Sequence, residues 1–268
     1  MIRITKFNDS VYLTEITEGT IDFVQDYLKI LVSDNDLFKG VGNSTGLIRI
    51  PSTRLVERDY NTLDIAIANS EGIEDVKFDY LRQNLLDSLF KNSIQFLIAH
   101  EYFHVYNGHV DYIYYLRNIK EYNEGIGDSK LSPLDNQTLE MDADSSATCF
   151  LYDLLCNNFN SKYNEVKLIG KIPLSTPPLE GTEKQKIIYY VLFVAYFILK
   201  FTSLKRISTI DDLKRSSHPS QGMRMQFIAG ALHAKVALED KNLEEFVIMC
   251  SLRVMKDDVP PEKRSSVK

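Results

Sequence analysis

The chain is 268 residues long, 44% hydrophobic, and carries a formal net charge of −6, with a pI near 5.5. That length and apolar content suffice for one large or two small cored domains, and the acidic balance excludes a broad basic face for a nucleic-acid backbone. Cys149, Cys156 and Cys250 are odd in number and form no CxxC pair, which argues against a disulfide framework or a cysteine metal cluster and suits a reducing, cytoplasmic setting.

The opening MIRITKFNDSVYL has no basic segment followed by a long apolar run, so no secretory leader is expected. In IDFVQDYLKIL, Ile21, Val24, Leu28 and Leu31 recur at helical spacing behind Thr20 as a cap, the pattern of an amphipathic helix. GLIRIP and LDIAIAN change the period. In the second, Leu63, Ile65 and Ile67 alternate with Asp64, Ala66 and Ala68, which predicts a half-buried strand. A small sheet is therefore expected within about residues 1–75, ahead of a helical region over 76–255.

From Phe78 the pattern is helical, with no proline or glycine until Gly108. Within it, IQFLIAHEYFHVYNGHV gathers three of the five histidines. His100 and His104 are four residues apart, so they lie about 40° apart around a helix and one turn apart along it. Both imidazoles can reach one metal ion. Glu101 completes H-E-x-x-H, in which two histidines bind zinc and the glutamate is the general base. The flanking Leu97, Ile98, Ala99, Tyr102, Phe103 and Val105 are uncharged, as a helix buried on its back face requires. These five residues arise by chance in on the order of one chain in a hundred of this length, so a third ligand is required.

Two places offer one. His109 follows Gly108, but the metzincin pattern H-E-x-x-H-x-x-G-x-x-H would place each of them one residue differently: here the glycine comes four residues after His104 and the histidine five. On a continuing helix His109 projects about 180° from His100 and about 140° from His104, which suits a helix-end histidine or one that orients a ligand. In LEMDAD, by contrast, Glu140 and Asp144 share a helix face at i,i+4, while Asp142 points about 160° away from Asp144, toward solvent. Glu140 would complete a His-His-Glu set and leave the fourth position to water. Asp144 would accept the other ring N–H of a ligand histidine. The competing reading is a solvated acidic helix start.

TLEMDADSSATCFLYDLLC, EKQKIIYYVLFVAYFILKF and QGMRMQFIAGALHAKVALED read as helices, separated by loops at IPLSTPPLEG and RSSHPS. The apolar run 187–199 is short for a membrane span and reads as a buried core helix. His233, on the apolar face of the last long helix, reads as a hydrogen-bonded structural histidine, and the tyrosines of DYIYYL and IIYYV as packing. Residues 256–268 read as a flexible tail.

HEYFHVYNGH, followed by LEMDADSSA and then HPSQGMR, resembles the gluzincin zinc peptidases, most of all the branch of the CaaX prenyl protease and the HtpX-type heat-shock proteases. In that branch a HExxH helix precedes an E-x-x-A-D helix and a later H-P…R element, and Ala143-Asp144 matches the end of the second motif. The resemblance covers about residues 94–230. It implies Glu140 as the third zinc ligand and His218 or Arg224 as donor to the oxyanion of a tetrahedral intermediate. Ser217 and Pro219 also read plainly as a helix cap and first-turn proline, with His218 incidental. Members of the branch usually span the membrane several times, whereas this chain has one short apolar run, so a soluble relative is implied. The phage-exclusion Lit-type peptidases look similar in size and in lacking spans.

The expectation is a single α+β domain over 1–255, mostly helical, with a small N-terminal sheet beside the HExxH helix. Its LDIAIAN strand would align an extended peptide by main-chain hydrogen bonds. The expected activity is a zinc-dependent endopeptidase acting on a protein, with Zn2+ on His100, His104 and Glu140, Glu101 as general base, and Asp144 and His109 behind the ligands. One competing reading is a regulatory or binding protein whose zinc is structural or absent. Glu101 speaks against it, because a structural ion needs no base beside it. Another is a membrane-associated protein whose 187–199 helix enters lipid.

Overall fold

The computed structural model describes residues 2–8, 10–35, 38, 41–45, 76–117, 121–122, 131–158, 182–202, 210–216 and 218–256. It begins with a hairpin. β1 (Ile2–Asn8) and β2 (Val11–Ile16) pair antiparallel from Ile2↔Ile16 to Asn8↔Val11. Ile4 is fully buried, and Arg3, directly across from Glu15, donates to its carboxylate from Nε at 2.9 Å, the cross-strand pairing that stabilises a sheet. α1 (Glu18–Ser33) follows and buries Val24 and Leu28 as its periodicity predicts. Its cap is Thr17 rather than Thr20, which sits in the first turn with its hydroxyl 3.0 Å from that of Thr17.

β3 (Ser44–Thr45) and β4 (Lys77–Phe78) form a short antiparallel ladder. The strands expected at GLIRIP and LDIAIAN lie outside the described residues. The long helix α2 (Tyr80–Tyr106) starts where Asp79 Oδ1 accepts from the Arg82 N–H at 2.9 Å, a side-chain cap. Arg82 itself is fully buried, and its guanidinium donates to the carbonyls of Val32, Asp34, Phe38 and Gly42 and to Asn35 Oδ1. A single cation thus gathers the loop after α1 onto the start of α2.

α2 ends at Gly108, whose φ of +78° is left-handed and is the helix stop glycine provides. α3 (His109–Arg117) turns away, and β5 (Glu121–Tyr122) joins the first sheet on the free side of β1, giving the order β2-β1-β5. Lys6 binds this corner together: its Nζ donates to Asp111 Oδ1 at 2.6 Å and lies 4.9 Å from the centre of the Tyr114 ring.

The remaining helices among the described residues are α4 (Pro133–Asn158), α5 (Glu183–Thr202), the short α6 (Ile210–Arg215), α7 (Gln221–Ala237) and α8 (Lys241–Lys256). α5 is the axis of the core. Every residue of 187–199 is buried except the half-buried Tyr196, and the helix packs against α2, α4, α7 and α8. Each fully buried Val, Leu, Ile or Phe there is worth about 1.5–3 kcal/mol. The buried Tyr190 hydroxyl lies 2.9 Å from Asn92 Nδ2, which donates to it, and 3.3 Å from Ser88 Oγ. No helix among the described residues is long and apolar enough to cross a membrane.

Three sequence readings need correction here. α8 is a further long helix after α7, burying Leu243, Phe246, Val247 and Cys250, and His233 faces it with Nε2 at 3.0 Å from Glu244 Oε1. α7 is capped by Ser220, whose side chain accepts from Met223 N at 3.3 Å; Ser217 lies outside the described residues. Tyr112 and Tyr115 of α3 are exposed rather than packed, because that helix lies at the surface. Of the tail 256–268, only Lys256 is described, as the end of α8.

Candidate metal centre

α2 and α4 pack side by side, and the i,i+4 spacing that sets two side chains on one helix face operates on both. His100 and His104 present their Nε2 atoms 3.1 Å apart. Glu140 faces them from α4, with Oε2 at 3.6 Å from His100 Nε2 and Oε1 at 3.6 Å from His104 Nε2. The three offer ligand atoms that all lie within 4.8 Å of one another. Donors about 2.0–2.1 Å from a tetrahedral ion stand roughly 3.3 Å from each other. The set His100, His104 and Glu140 therefore fits such an ion in both chemistry and spacing. All three are buried, as is Glu101, which is 1% exposed and lies about 100° around the helix from His100 and about 60° from His104.

Each histidine is backed by a second group. His100 Nδ1 lies 2.9 Å from Asp144 Oδ1, so the carboxylate can hold the proton on Nδ1 and leave Nε2 its lone pair. Asp144 is fully buried and is gripped by Arg224 of α7, whose Nε donates to Oδ2 at 2.5 Å and Nη2 to Oδ1 at 2.7 Å. Burial works against a charged Asp144, but the Arg224 charge, followed by the His100 contact, outweighs it and holds the pKa below the usual carboxylate value. His104 turns its Nδ1 toward His109 Nδ1 at 3.0 Å.

His109 reaches that position because the helix does not continue. The left-handed Gly108 breaks α2 and folds the first residue of α3 back beneath His104, which replaces the projection a continuous helix would have given. Burial first, and the His104 charge second, pull the His109 pKa down to about 4, so its ring is neutral at neutral pH. Its Nε2 lies 2.9 Å from Asp142 Oδ2, and the same carboxylate oxygen accepts from Asn107 Nδ2 at 2.7 Å. Asn107 and Asp142 escaped the sequence reading. Asp142 is half-exposed, as its helix phase requires, but its partners arrive from another helix. The Asn-Gly pair at 107–108, a turn signal, was the available clue.

Arg224, expected as an oxyanion donor, pairs with Asp144 in a buried ion pair and also places Nη2 3.7 Å from Glu140 Oε2. His218 is half-buried in the segment ahead of α7, where Ser216 Oγ donates to its carbonyl at 2.7 Å. The outer side of α2 is less enclosed than its uncharged sequence suggests. Ile98, Tyr102 and Tyr106 are exposed, with the last two rings stacked at 5.7 Å.

The buried His-His-Glu cluster can hold a metal ion, with Asp144 behind His100, His109 and Asp142 behind His104, and a glutamate between the histidines. Residues 53–243 match the Peptidase U49 family. The chain belongs to that family and is a peptidase; the matched span contains every residue of the cluster. No curated protein and no solved structure matches the chain significantly.

Proposed function

We propose that the protein is a zinc-dependent endopeptidase of the gluzincin type, akin to the soluble Lit-type peptidases, that cuts a protein substrate in the cytoplasm. The observation that carries the reading is the triangle of His100 Nε2, His104 Nε2 and the Glu140 carboxylate, with edges of 3.1, 3.6 and 3.6 Å. Bound there, the ion supplies a Lewis acid that lowers the pKa of water and polarises a carbonyl. The chain's own groups do the rest. Asp144 fixes the His100 ring, and Arg224 fixes Asp144. Glu101 takes a proton from the attacking water and delivers it to the leaving amine, so it must adjoin the site without being a ligand. His218 is the candidate donor to the developing oxyanion.

The 0–4% exposure of the four central residues favours a second reading, in which the ion is structural. Glu101 separates the two. Glu101→Gln keeps the side-chain volume and both histidines but removes the base. In the peptidase, zinc content measured by atomic emission stays near one ion per chain while cleavage falls about 10²–10⁴-fold. Equal cleavage by the variant refutes the catalytic role, and a wild-type chain purified with zinc supplied yet holding none refutes the centre itself.

A further inference from the structure

We infer that Asp142, acting through His109, is the positioning residue for His104, which gives the two histidine ligands separate carboxylate anchors on one helix. The inference rests on the metal centre proposed above and assigns groups that its ligand set leaves out.

The argument starts from helix phase. Asp142 and Asp144 are two residues apart on α4, so their side chains diverge by about 160°. Asp144 faces the centre and touches His100 directly, at 2.9 Å. Asp142 cannot do the same for His104, and a spacer must carry its influence around the helix. His109 is that spacer: one ring nitrogen lies 3.0 Å from His104 Nδ1 and the other 2.9 Å from Asp142 Oδ2.

The contacts themselves set one assignment of protons once His104 Nε2 is kept for a metal ion. For His104 Nε2 to keep its lone pair toward the other ligands, Nδ1 carries the proton and donates to His109 Nδ1. His109 then carries its proton on Nε2 and donates to Asp142 Oδ2. Asn107 Nδ2 donates to the same Oδ2 at 2.7 Å and to Ser146 Oγ at 3.2 Å, which fixes the carboxylate at the far end. Since the Asp142 side chain is half-exposed, holding its charge there carries little desolvation cost. The left-handed Gly108 completes the device by placing Asn107 and His109 on either side of the helix break.

The test compares zinc affinity, by competition with a chromophoric chelator, in wild type, Asp142→Ala, His109→Ala and the double variant. Partners of ligand histidines are typically worth 10–100-fold in metal affinity. Asp142→Ala is therefore expected to bind zinc about tenfold more weakly and to alter the visible absorption of the cobalt-substituted protein, while the melting temperature of the metal-free chain stays close to wild type. Because Asp142 acts through His109, the double variant should bind no more weakly than His109→Ala alone. If wild type binds zinc tightly and Asp142→Ala matches it in affinity and cobalt spectrum, the relay is overturned and the metal centre stands. If wild type binds no zinc, both are overturned.

Discussion

Replacing Arg224 by Met tests whether the Asp144–Arg224 pair is the brace on which the centre rests. The guanidinium makes two parallel hydrogen bonds, at 2.5 and 2.7 Å, to a carboxylate with no solvent exposure, and is itself only 3% exposed. Met fills much of the volume but leaves a buried carboxylate with only the His100 contact to offset its charge. Removing one partner of such a pair costs about 3–5 kcal/mol, a large share of the roughly 5–15 kcal/mol that holds a typical domain folded. Urea unfolding of the chelator-treated protein, followed by circular dichroism, measures it. The double variant Arg224→Met, Asp144→Asn removes the charge as well as its partner, and should recover part of the loss. Arg224→Lys keeps the charge without the planar fork, and should fall between wild type and Arg224→Met. A loss of less than about 1 kcal/mol in Arg224→Met, against the 3–5 expected, or a double variant no more stable than the single, would refute the reasoning.

Two further predictions concern the start of α2. The backbone N–H of Arg82, and next that of Asn43, hold the Asp79 pKa below its ordinary value; the contribution is complete above pH about 4 and is lost as pH falls through the lowered folded-state value. Asp79→Asn keeps a capping side chain but drops the charge, so thermal melts across the acid range should show a shallower decline than wild type, and an identical slope would rule the linkage out. Gly42 has a φ of +65°, and a Cβ there would run into the Asp79 carboxylate. Gly42→Ala should cost about 1–2 kcal/mol from left-handed strain, with disturbance of the Asp79 cap added to it, and a change under about 0.5 kcal/mol in urea unfolding would contradict that expectation.

The chemistry of this chain was more legible than its outline. His100 and His104 could be placed together because helix periodicity is a local property, and Glu140 with Asp144 for the same reason; their meeting needed only that α2 pack on α4. Arg224 was singled out, but its partner depends on how α7 docks, which no local pattern encodes. The position of His109 turned on a single backbone angle at Gly108. The hairpin of Ile2–Asn8 and Val11–Ile16 is hard to read because its strands alternate weakly, with Phe7, Val11 and Leu13 left exposed. The reverse applies to 187–199, whose continuous apolar run speaks only of burial, and burial is what the core provides.

The order of the braces along the chain has a consequence for synthesis. His100 and Asp144 are in place on the chain long before Arg224, which neutralises the carboxylate that orients the histidine. A growing polypeptide that has not yet delivered α7 holds an acidic group with no counter-cation, a state that resists enclosure. The centre is therefore expected to set only once α7 has docked and brought Arg224 to Asp144. A fragment ending ahead of Gln221 would lack Arg224 and with it the cation that braces Asp144.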